Sequence, residues 1–135
     1  MCKEHLQDFE RLIMTVDEFK TKVELATNGL VKGELMSLSN TYFTGYGFYF
    51  NTWYNGKQYN LGHVTTDSTT NDEVDYVCVD RFVFSAKPKY NKKEKKLVID
   101  KQIKLDGLFE FSKDFDKAIV VIAEMQEAIF YMEGL

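Results

Sequence analysis

A chain of 135 residues and 15.8 kDa is one domain by size, and 44% hydrophobic with 28% charged residues fits a packed globule rather than a disordered segment. A net charge of −4 argues against a general nucleic-acid coat, and two cysteines, Cys2 and Cys78, are too few for a disulfide framework. No apolar run approaches the ~18 residues that span a bilayer, and the opening MCKEHLQDFE carries early acids without a signal-type apolar stretch, so a soluble cytoplasmic protein is expected.

Leu6, Phe9, Leu12 and Ile13 form a helical stripe over about Lys3–Ile13. Thr15-Val16-Asp17-Glu18 reads as a capping box, in which the Thr15 hydroxyl accepts from the Glu18 amide and the Glu18 side chain reaches back. It opens a second helix with Val16, Phe19, Val23 and Ala26 on one side, and Asn28-Gly29 supplies a left-handed stop. Glu34 to Ser39 is read as a short strand. Tyr46 to Val64 then holds Asn55-Gly56 between two aromatic runs, the signature of a hairpin whose turn needs positive φ at both central residues.

Centring the turn on that pair sets a register. Phe48 is expected opposite His63, Phe50 opposite Leu61 and Thr52 opposite Tyr59 on an apolar, core-facing side. Trp53 is expected opposite Gln58, Asn51 opposite Asn60, and Tyr49 beside Gly62 on the other side. Val74–Ala86 is apolar on both faces, which predicts a central strand covered on both sides. AKPKYNKKEKK is expected to be a lysine-rich connection with Pro88 and Asn91 as turn formers. Leu97, Ile99, Ile103 and Leu105 share one face of the next strand, and Asp106-Gly107 is read as a turn into a short LFEF strand. Ser112 is the predicted N-cap of a last helix on which Phe115, Ile119, Ile122, Met125, Ile129 and Met132 repeat at three- and four-residue steps. The expected architecture is α+β: an antiparallel sheet of about five strands, with N-terminal helices and a long C-terminal helix packed on it.

Chemistry-bearing constellations are sparse. Only His5 and His63 offer imidazoles, and His63 is expected on the core face of the hairpin. No HxxxH, CxxC or paired Cys/His spacing is present, so neither a metal nor a cofactor is expected. A carboxylate metal site would have to draw on Asp80 and Asp100, with Lys101 adjacent; the plainer reading is two solvent-facing acids, Asp80 beside Arg81. TTDSTTNDEVD is acidic but lacks the glycine and final glutamate of a calcium loop. No catalytic residue is assigned, and a non-enzymatic role is expected.

Charge is unevenly distributed. Residues 87–104 hold eight lysines against Glu94 and Asp100, for +6, between segments of −4 (67–86) and −5 (105–135). Two binding readings follow. In the first, Tyr49, Asn51, Trp53, Gln58 and Asn60 form an amphipathic outward face for a protein partner, because Trp and Tyr dominate interface energetics. A second copy of the chain is one candidate cover for it. In the alternative, nucleic acid or a small ligand is held by the same rings together with Lys87, Lys89, Tyr90, Lys92, Lys93, Lys95 and Lys96, the lysines meeting phosphates and the ring stacking a base. Lysine in excess of arginine, with abundant Asn, Tyr and Phe, resembles products of A+T-rich genomes. Small chains of this kind often come from phages and mobile elements, where they block host machinery such as restriction or CRISPR complexes, so size and type, and no motif, make an inhibitor of host machinery the expectation under the first reading.

Overall fold

A computed structural model describes residues 14–36, 46–66, 72–111 and 114–135. Its elements are α1 (Val16–Ala26), β1 (Val31–Leu35), β2 (Gly47–Tyr54), β3 (Lys57–Thr66), β4 (Val74–Asn91), β5 (Lys96–Phe111) and α2 (Phe115–Glu133). The strands form one antiparallel sheet in chain order, β1-β2-β3-β4-β5. Both helices lie on the same face, so the α+β architecture is as expected. The stripe at Lys3–Ile13 lies outside the described residues.

The caps explain where the helices begin and end. Thr15 accepts from the Glu18 amide at 3.0 Å, the forward half of the expected capping box. Asn28 and Gly29 take positive φ after the last turn of α1, and the Gly29 amide returns to the Glu24 carbonyl. Asp114 caps α2 by accepting from Lys117 at 3.2 Å; Ser112, the expected cap, lies outside the described residues. At the other end, the Lys101 ammonium donates to the Glu133 and Leu135 carbonyls, tying the negative end of the helix dipole to β5.

Val16, Phe19 and Val23 of α1 and Phe115, Ala118, Ile122 and Ile129 of α2 bury against Phe48, Phe50, Leu61, Val64, Val77 and Val79 of the sheet. Phe19 is central, its ring 5.5 Å from Phe50 and 6.3 Å from Phe115. Each large side chain fully buried here contributes about 1.5–3 kcal/mol.

Several expectations need correction. The first strand is Val31–Leu35, earlier than Glu34–Ser39, because Asn28-Gly29 turns the chain directly into it. In the β2–β3 hairpin the pairs nearest the turn, Trp53 with Gln58, Thr52 with Tyr59 and Asn51 with Asn60, are as expected. Beyond them a bulge at Leu61 shifts the register by one. Phe50 pairs with Gly62, Tyr49 with His63, and Phe48 with Val64. His63 therefore leaves the core face. The lysine-rich segment is no loose connection, since β4 runs on to Asn91 and β5 begins at Lys96. Asn91 does form the turn, its side-chain oxygen accepting from the Lys93 and Glu94 amides. Pro88 instead sits within β4, on the stretch beyond Val79 where no β3 residue pairs. Asp106-Gly107 makes no turn, and β5 continues to Phe111 with a register shift opposite Arg81/Phe82. Among the described residues β4 is covered by helices on one face only.

Candidate functional site

The face of the sheet away from α1 and α2 carries the predicted aromatic site. Tyr49 and Trp53 project from alternate positions of β2, 40% and 37% exposed. Asn51 lies between them and is buried, its carboxamide oxygen accepting from Asn60 at 3.0 Å across the hairpin. The Asn60 oxygen in turn accepts from the Gly62 amide at 3.2 Å. Asn51 and Asn60 are thus brace residues that hold the bulge. Gln58 is exposed beside Trp53.

Two further rings that the sequence did not assign to this site join it, His63 through the bulge and Tyr76 from β4. His63 packs on Tyr49 with centroids 6.3 Å apart at 72°, and Tyr76 of β4 lies 6.1 Å from His63 on its other side. A row Tyr49–His63–Tyr76 crosses three strands, and Trp53 stands along β2 from it. Gly62, an isolated glycine inside a strand pattern, was the signal for the bulge. The register places Cys78 opposite both His63 and Glu110, and Asp80 two residues along.

The surroundings of His63, Tyr76 and Cys78 favour their neutral forms. Burial lowers the His63 pKa from its ordinary value, so the ring is neutral near pH 7. A hydrogen bond to Glu110, with burial added, pushes Tyr76 up to about 12. Burial raises the Cys78 thiol, reinforced by the negative charges of Asp80 and Glu110. A buried thiol held protonated is a poor nucleophile. Burial also raises the Asp80 carboxyl. Rings and a neutral imidazole thus stand beside the carboxylates of Asp80 and Glu110.

Asp80 and Asp100 do not converge. Asp80 pairs with Leu108, which places Asp100 about eight residues down β5, roughly 26 Å at the usual rise per residue. Arg81 pairs with Asp106 across the ribbon, and its guanidinium lies over the Phe109 ring. No group of three or more His, Cys, Asp or Glu positioned for a metal is found among the described residues.

The basic residues form a separate feature. β4 and β5 extend past the edge of β3 as a two-stranded arm. Lys87 and Lys89 lie on one face of it, the side of Val98 and Asp100, while Pro88, Tyr90, Leu97 and Ile99 share the other. Lys92, Lys93 and Lys95 occupy the turn, and Lys96 begins β5. A concavity of about 420 Å³ lies near the tip, between Lys89, Tyr90 and Lys92 on one side and Val98, Ile99 and Asp100 on the other. The aromatic row and the lysines are not brought into one site. No helix among the described residues is long and apolar enough to cross a membrane. Comparison with protein-family models, curated proteins and solved structures gave no match.

Proposed function

We propose that this chain is a non-enzymatic protein-interaction module, and that the Tyr49–Trp53–His63–Tyr76 face is what it presents. The observation that carries this reading is the exposure of Tyr49 and Trp53 on a sheet face that no described helix covers. Large rings fixed on strands lose little conformational entropy on binding. Within this class, an inhibitor of host restriction or CRISPR machinery is the assignment favoured by chain size and composition.

The test is capture from a bacterial lysate, followed by reconstitution with the purified partner. Tyr49→Ala with Trp53→Ala is expected to weaken binding at least tenfold, as removal of hot-spot rings does. The thermal midpoint should move by only a few degrees. Equal binding by the double variant would eliminate this face, and collapse of the fold would make the rings structural.

A second reading is supported by the arm. Six lysines at or beside its tip, with Tyr90 exposed among them, suit sequence-independent contact with nucleic-acid phosphates.

A further inference from the structure

The free edges of the sheet are finished in different ways. β1 is a five-residue edge that includes Lys32, Gly33 and Glu34. The overhang of β4 carries Lys87, Pro88 and Lys89, and lysine and proline both discourage strand addition. β5 has neither brevity nor proline. It is sixteen residues long and exposes Leu97, Ile99, Leu105 and Leu108, the first of them at 69%. Among the described residues no strand pairs with its outer side. Its charges are mixed in sign, Lys96, Lys101 and Lys104 with Asp100 and Asp106, so an edge of this length is a template for a strand whose charges complement its own.

We propose that β5 pairs antiparallel with β5 of a second copy of this chain, about a two-fold axis at Gln102. Such an interface is isologous, so its register must complement itself. With the axis at Gln102, Asp100 of each copy stands opposite Lys104 of the other, and Ile99 stands opposite Leu105. Each pair occurs twice. Moving the axis to Lys101 sets that lysine against its own copy, and moving it to Ile103 sets Asp100 against Asp106. Like charges directly opposite destabilise a ladder, and opposite charges and apolar pairs support it. Asp100 and Lys104 are both exposed and belong to no ion pair among the described residues, and Asp100, flanked by Lys87 of its own chain on one side, has its other side open to the second copy. The end of α2 also lies beside this axis, because Lys101 holds the Leu135 carbonyl and the Leu135 side chain is half exposed. This interface uses an edge and leaves the Tyr49–Trp53 face open, so it stands apart from the function proposed above.

The test is the mass of the full chain in solution, by sedimentation and light scattering over a concentration series. Wild type is expected to reach twice 15.8 kDa. Asp100→Lys alone and Lys104→Glu alone should each weaken association by roughly tenfold or more, since each replaces two attractive pairs with two repulsive ones. The combined Asp100→Lys/Lys104→Glu variant should restore it. Both positions are exposed; Lys104→Glu, opposite Val83, is expected to melt like wild type, and Asp100→Lys, opposite Lys87, within a few degrees of it. A monomer throughout the series would overturn the proposal. So would single variants that associate like wild type, or association abolished by Tyr49→Ala/Trp53→Ala instead.

Discussion

Gly62 decides more than any other residue about what the candidate face contains. Its φ is +146°, a region that side chains rarely adopt, and a Cβ built there would collide with the Cys78 carbonyl oxygen of β4. Gly62→Ala is therefore expected to cost about 2–4 kcal/mol, measured by chemical denaturation, through strain and forced separation of β3 from β4. His63 depends on that bulge for its position between Tyr49 and Tyr76. Because its pKa is lower folded than unfolded, the unfolded chain binds more protons just below the ordinary value of 6.5. Its contribution to stability is thus complete above pH 6.5 and declines as pH falls through that value toward the folded pKa. His63→Gln should flatten the stability profile as pH falls below about 6.5; a slope identical to wild type there would contradict the assignment.

At the scale of elements, the β2–β3 hairpin and the β4–β5 arm differ in what supports them. The hairpin has Phe48, Phe50 and Leu61 packed beneath the helices. The arm is held at its base by Phe82, Phe84 and Ile103 against the core, and from Ala86 to Tyr90 every residue is exposed. Its outer part should therefore be dispensable for folding. Replacing residues 89–98 with a two-residue Asn-Gly turn, which closes the Pro88–Ile99 pair, is expected to leave the thermal midpoint within a few degrees of wild type. The same shortening should abolish any salt-dependent retention on DNA or RNA, because only Lys87 of the six arm lysines survives it. Retention unchanged by the shortening would remove the arm from the second functional reading. The hairpin turn was legible from Asn55-Gly56, both of which take positive φ. The arm was not: Pro88 and a lysine run look like a loop until β5 is present to pair with them.

For the whole molecule, the residue types and their order sufficed for the helix caps at Thr15 and Asn28-Gly29, the tight turn at Asn55-Gly56, the apolar stripe of α2 and the α+β class. These follow from contacts a few residues apart or from a periodicity that any window reveals. The same local reasoning placed Tyr49 and Trp53 opposite the core side of β2. Tertiary structure alone decided where His63 points, because one extra residue in β3 inverts the facing of everything beyond it, and that residue is accommodated only by the backbone of β4 behind Gly62. It alone separated Asp80 from Asp100 and turned a basic connection into a paired arm. It also left β5 as a long edge with no partner strand among the described residues. Strand pairing is a property of two segments at once, and the free energy that selects a register belongs to neither of them read singly.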